Sequence, residues 1–325
     1  MELCAFEGKP DDRDNLKAFV STLGTISRRH VNAVQTMAQG VMELKESHAV
    51  DIQTENSIQY FLDRFYMSRI STRMLTNQHS MLFGMDEGDA DYIPETRPNR
   101  IGVLDTDCNV KSLVMEAFNN AAFLCEEYYF TAPDIDIIMN NQAKPGEPIQ
   151  LCYPPQHLYH ALFELFKNAM RAVVENKPKG KFDLPDIKVL ISQSEYDITI
   201  RISDQGGGIP RKVTDRLFHY LYSTAPRPSM QATKAPLAGY GYGLPLSRLY
   251  ARYFHGDLIL NSYDGFGTDA VIYLRANTTD AVELLPVFNK TSTKQYKLSV
   301  PAADWTDPAS IMSRQIVYQT STKAQ

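Results

Sequence analysis

The stretch His157-Leu-Tyr-His-Ala-Leu-Phe-Glu-Leu-Phe-Lys-Asn-Ala-Met-Arg-Ala-Val-Val-Glu175 decides how the chain is read. Leu158, Leu162, Leu165, Phe166 and Ala169 recur at three- and four-residue steps, which predicts an amphipathic helix with one buried side. His160, Glu164 and Asn168 fall at i, i+4 and i+8, along one stripe of that helix. A row of basic, acidic and amide side chains beside an apolar face suits a nucleotide–metal site. Taken singly, each residue is equally at home on a solvated polar face, so its neighbours in the chain must decide.

Three later stretches belong with the helix. Asp204-Gln-Gly-Gly-Gly-Ile-Pro210 follows a predicted strand. Its carboxylate can accept a hydrogen bond from an exocyclic amine such as that of adenine, and the glycines let backbone approach a ligand. Gly239-Tyr-Gly-Tyr-Gly-Leu-Pro245 opens a helix, so free N–H groups and the positive helix end make a phosphate site. Asp264-Gly-Phe-Gly-Thr268 is a tight turn whose threonine hydroxyl can complete the adenine contacts or cap the turn. On the helix, Asn168 offers an oxygen to Mg²⁺, Glu164 can take a hydroxyl proton, and His160 can orient or tune it. No GxxxxGK[ST], HRD or DFG signature occurs.

The 325 residues leave room for two domains, and 43% hydrophobic with 22% charged is ordinary for a soluble protein. With 33 basic against 38 acidic residues the net charge is −5, so no nucleic-acid footprint is expected. Cys4, Cys108, Cys125 and Cys152 form no CxxC pair and read as free thiols. No apolar run is long enough for a membrane span, and the acidic first residues are unlike a transit peptide.

Helical periodicity runs from Asp14 to about Lys45, with Gly24 and Gly40 as possible kinks or ends. A second helix is predicted from about Glu55 to Leu82, with Ile58, Phe61, Leu62, Phe65, Ile70 and Leu75 inward. Gly84–Pro98 reads as a loop, and Asn109 can cap a third helix through about Tyr129. Beyond Pro133 strands alternate with helices: Ile135–Met139, the opening helix, Ile187–Ser192, Asp197–Ser203, a helix near Val213–Leu221, a helix at Pro245–Tyr253, then Leu258–Ser262 and Asp269–Leu274. The expected fold is α+β. An N-terminal helical bundle (1–130) precedes an α/β sandwich (131–290) and a C-terminal tail (291–325).

Glu164-x-x-x-Asn168, Asp204-x-Gly-x-Gly, Gly239-x-Gly-x-Gly-Leu244 and Gly267-Thr268 resemble the ATP site of the gyrase and histidine-kinase group. The helix through Arg171, Tyr222-Ser-Thr-Ala-Pro226 and Gly265-Phe-Gly-Thr-Asp-Ala-Val271 resemble the mitochondrial pyruvate dehydrogenase kinases more narrowly, from about Arg13 to Trp305. The resemblance implies a protein serine kinase that uses Mg-ATP to phosphorylate and inactivate the pyruvate dehydrogenase component of its complex, so regulating glucose oxidation in the mitochondrial matrix. Carried over by position, Glu164 is the general base with His160 its partner, and Asn168 holds Mg²⁺. Asp204 and Thr268 bind adenine, while Arg171, Ser223, Thr224, Gly239, Tyr240, Gly241, Tyr242, Gly243 and Leu244 line the nucleotide.

The same resemblance implies a pocket for pyruvate-like acids at Arg69 and Arg73. His30 matches that pocket and Ser27 departs from it. It also implies docking to the lipoyl domain of the dihydrolipoyl acetyltransferase core, and a homodimer through the C-terminal domain and Asp304-Trp305. The family begins with a presequence and further helices that this chain lacks at its start, so the bundle is expected to be incomplete. Two other readings stay open: a histidine autokinase with His30 as acceptor, and an inactive module that holds nucleotide or dimerises.

Overall fold

Three helices come first, and capping side chains mark the starts of two of them. In the computed structural model, which describes residues 12–48, 50–84, 99–176, 183–224, 241–279 and 281–284, α1 (Arg13–Arg29) begins where Asp12 accepts from the Asp14 N–H. α2 is Ala33–Ser47, and α3 (Ile52–Phe83) begins where Asp51 accepts from the Thr54 N–H at 2.8 Å. The break between α1 and α2 falls at residues 30–32, so Gly24 and Gly40 lie inside helices. A glycine inside a helix costs only about 1 kcal/mol, less than neighbouring turns contribute.

α3 buries Leu62, Tyr66, Met67, Ile70 and Met74, while Phe61 and Leu75, expected inward, are more than half exposed. The stripe is rotated because Tyr66 has other tyrosine rings to pack against, as described below. α3 packs on α1 and on a helix from the second half of the chain.

A small antiparallel sheet in the order β1-β2-β4 joins Arg100–Ile101, Leu104–Asn109 and Gln150–Tyr153. Periodicity does not predict it, since its strands are short and β2 reads Leu-Asp-Thr-Asp-Cys-Asn with an irregularity between Asp105 and Cys108. Asn109 then caps α4 (Val110–Tyr129) by accepting from the Ser112 N–H at 3.0 Å, as its sequence predicts.

The main sheet has the order β3-β5-β6-β8-β7. β3 (Ile135–Asn141) runs parallel to β5 (Ile187–Gln193). β6 (Asp197–Ser203), β8 (Gly267–Arg275) and β7 (Asp257–Tyr263) follow antiparallel. Ile187, Val189 and Ile191 alternate inward with Ile198, Ile200 and Ile202 of the next strand. Over this face lie α5 (Pro155–Glu175) and α6 (Gly243–Tyr253), with α4 packed along α5. Fully burying one such isoleucine or leucine contributes about 1.5–3 kcal/mol, so this two-layer core is the rigid support of the site.

The helix expected near Val213–Leu221 is a 3₁₀ segment at Arg211–Arg216, and the chain then turns through Leu221 at φ 65°. Gly84 caps α3, and the rest of the expected Gly84–Pro98 loop lies outside the described residues. Among the described residues no helix is long and apolar enough to cross a membrane.

Candidate active site

A cavity of about 490 Å³ opens between α5, the ends of β6 and β8, and the first turn of α6. Glu164, Asn168 and Arg171 enter it from one side of α5, as their spacing requires. Glu164 Oε1 pairs with Lys167 Nζ at 2.7 Å, and both side chains are largely sheltered. Lys167 itself is 7% exposed and lies over the Phe163 ring at 5.0 Å. A buried ammonium needs such a partner, so the pair fixes the carboxylate in place. Gly243 opens α6 against the Glu164 carboxylate; a Cβ there would collide with Oε2. Arg171 donates from Nη2 to Thr224 Oγ1 at 2.6 Å and pairs with Glu175 at 3.3 Å.

The far end is built by two loops brought together by β6–β8 pairing. Asp204 Oδ1 accepts from the N–H groups of Gly206 at 2.8 Å and Thr268 at 3.3 Å. Burial pushes the Asp204 carboxyl above its ordinary range, a rise the two backbone donors oppose and Asp269 assists. The Thr268 hydroxyl meets Ser262 Oγ at 2.8 Å, and Ser262 Oγ accepts from the Ile209 N–H at 2.7 Å. Gly208 takes φ 72° with its α-carbon against the Tyr263 carbonyl, a place without room for a side chain.

At the phosphate end, the residue preceding α6, Tyr242, makes no side-chain cap. Among the described residues no side chain caps this helix start, and Gly243 and Leu244 of its first turn line the cavity, an arrangement that suits an anion. Pro245 in that turn has no N–H to leave unbonded.

Of the residues expected at the site, Glu164, Asn168, Arg171, Asp204, Ser223, Thr224, Gly241, Gly243, Leu244 and Thr268 line this one cavity. Gly239 and Tyr240 lie outside the described residues, as does the Asp304-Trp305 pair. Tyr242 turns away and is buried against Tyr66 and Tyr220.

His160 also departs from expectation. It lines a second cavity of about 340 Å³ with Arg69, Arg73, Arg100, His157 and Tyr250, and its Nε2 is buried without a hydrogen-bond partner among the described residues. Burial lowers its pKa, against the pull of nearby Glu164. Lys167, not His160, makes the hydrogen-bonded contact to Glu164. Sequence reasoning missed Lys167. Its one signal was a lysine at i+3 from Glu164 with apolar Phe163 and Met170 one turn to either side. In the second cavity Arg69 also donates to the His30 carbonyl at 2.7 Å, while neither His30 nor Ser27 is among the lining residues. Among the described residues no cluster of three acidic, histidine or cysteine side chains could hold a metal alone.

Residues 1–105 match the family described as mitochondrial branched-chain alpha-ketoacid dehydrogenase kinase. Residues 154–278 match the family described as histidine kinase-, DNA gyrase B-, and HSP90-like ATPase, the segment that carries the cavity. The mitochondrial [pyruvate dehydrogenase (acetyl-transferring)] kinase of Drosophila melanogaster is 54% identical over 312 residues, covering 94% of this chain and 74% of that protein. The corresponding kinase of Ascaris suum is 52% identical over 304 residues, with the same coverage. Human isozyme 3 is 51% identical over 312 residues, covering 95% of this chain and 75% of its own. An ATPase-type cavity on this sheet and half-identical relatives over nearly the whole chain lead to one conclusion: the chain belongs to the mitochondrial pyruvate dehydrogenase kinase family, whose members are protein kinases that bind ATP.

Proposed function

We propose that this protein is a Mg-ATP-dependent serine kinase of the mitochondrial matrix that phosphorylates and inactivates the pyruvate dehydrogenase component, so regulating glucose oxidation. The observation that carries this reading is Glu164 and Asn168, one turn apart on α5, sharing a cavity whose far end is the Asp204–Thr268 floor. Asp204 keeps Oδ2 for the exocyclic amine of adenine while backbone donors hold Oδ1. The α6 N-terminus and Arg171 meet the phosphates. Asn168 supplies one oxygen, which fits a cation that brings its remaining ligands as water and phosphate. Mg²⁺ bound there would neutralise charge on the phosphate oxygens. Glu164, set by Lys167, accepts the serine proton as the serine oxygen attacks the γ-phosphorus and ADP leaves.

The boundary of the two domains belongs to this proposal. β2 pairs with β4 and α4 packs along α5, which favours drawing it ahead of β2 and not at residue 130. Docking to the lipoyl domain and homodimerisation through the C-terminal domain and tail follow from family membership, as does a small carboxylate at Arg69 and Arg73. Asn168→Ala is expected to reduce magnesium-dependent phosphorylation of the dehydrogenase by at least about 100-fold. Activity retained near wild type in a radiolabel transfer assay would sink the metal role.

A further inference from the structure

α3 does not line the nucleotide cavity, yet its side chains grip the chain on both sides of the cavity's phosphate end. Gln59 Oε1 accepts from the Tyr220 N–H at 2.7 Å, and its Nε2 donates to the Tyr220 carbonyl at 3.4 Å. Asp63 Oδ1 accepts from the Tyr220 hydroxyl at 2.7 Å. The Tyr66 ring, almost wholly buried, meets Tyr220 at 5.4 Å and Tyr242 at 5.6 Å, and those two rings lie 5.2 Å apart.

Tyr220 and Tyr242 stand directly beside cavity residues. Tyr222, Ser223 and Thr224 follow the first, and Gly241 and Gly243 flank the second. The two strips are joined by the Leu221 N–H donating to the Gly241 carbonyl at 3.2 Å. Leu221 holds φ 65°, a conformation a bulky residue keeps only where its surroundings impose it.

Apolar side chains would suffice if α3 merely had to adhere to the second half of the chain. Directing an amide and a carboxylate at both backbone groups and the hydroxyl of one residue instead specifies where that residue sits. We infer that Gln59, Asp63 and Tyr66 are positioning residues for nucleotide binding. They set Tyr220 and Tyr242, and through them Thr224 and the α6 N-terminus that meet the phosphates. The inference rests on the nucleotide reading of the cavity given above.

The test uses Tyr220→Phe and Asp63→Ala in the full chain, singly and together. A fluorescent ADP analogue reads binding, and steady-state assays read KM and kcat. Each single variant is expected to raise the nucleotide Kd and the KM for ATP about 5-fold, a fraction of what one hydrogen bond to a charged group contributes, because the bond acts on the site only through Tyr220. kcat and the KM for the protein substrate should stay within about twofold of wild type. The double variant should lose no more than the worse single, because both remove the same bond. Tyr220→Phe keeps the ring and carries the test if Asp63→Ala folds poorly. Nucleotide affinity equal to wild type in Tyr220→Phe overturns the inference, as does a fall in kcat at unchanged KM, which marks only a loss of folded enzyme. A wild-type chain that binds no nucleotide overturns the reading of the cavity itself, a different result from wild-type binding left unchanged by the variants.

Discussion

At the scale of single residues, placement was legible wherever it follows from a side chain's own spacing. Glu164 and Asn168 had to share a face of α5, and Asp204 had to stand at a strand end before glycines; all three line one cavity. Partners could not be read. Lys167 was assigned no role, and only the fold shows it buried over the Phe163 ring and paired with Glu164. His160 shared the stripe yet faces the second cavity, because a helix stripe is wide enough to serve two sites. Its neighbour His157 gives a measurable consequence. Burial, with help from His160 and Arg73, lowers the His157 pKa to about 3. The folded value is depressed, so the unfolded chain binds the extra proton below its ordinary pKa of about 6.5. The stabilisation is therefore complete above about pH 6.5 and is lost as pH falls towards about 3. Thermal melts are expected to show about 1 kcal/mol lost between about pH 7.5 and about pH 5.5, a loss that His157→Phe should diminish. An identical pH profile in the variant would contradict the assignment.

At the scale of elements, strong periodicity and caps were enough. Apolar periodicity placed α3, the Asn109 cap placed α4 and strand alternation placed β5 and β6, whereas the start of α3 at its Asp51 cap was not legible. The small sheet was invisible because its strands are two to six residues long and its central strand, β2, is polar and irregular. The turn at Tyr220–Leu221 replaced an expected helix because Gln59, far away in the chain, takes both backbone groups of Tyr220. α6 shows the opposite case, in which a local feature reads correctly for an unforeseen reason. Its opening Gly243 was expected for phosphate approach, and it also makes room for the Glu164 carboxylate. Gly243→Ala should therefore displace Glu164 and lower kcat about 10-fold or more, the cost of misplacing a catalytic group by a fraction of an ångström. If kcat holds and only the KM for ATP rises, Gly243 serves the phosphates alone.

At the scale of the whole molecule, helices α1–α3 meet the sheet-bearing half through α3 and α6, and α4 goes with that second half. The fold class was legible because the periods change from helical to alternating near Pro133. The packing of α4 along α5 was not legible, because it depends on which helix α5 takes as a neighbour. This architecture places an ATP-type cavity beside a helix whose carboxylate and amide are a turn apart, the arrangement proposed above to transfer phosphate to a serine of another protein. The most direct measurement incubates the purified chain with magnesium, γ-labelled ATP and the pyruvate dehydrogenase component, then treats the products with acid. Acid-stable phosphoserine on the dehydrogenase, lost in Glu164→Gln, is the expected result. Acid-labile phosphate on the chain itself, or ATP binding with no transfer to the dehydrogenase, would contradict it.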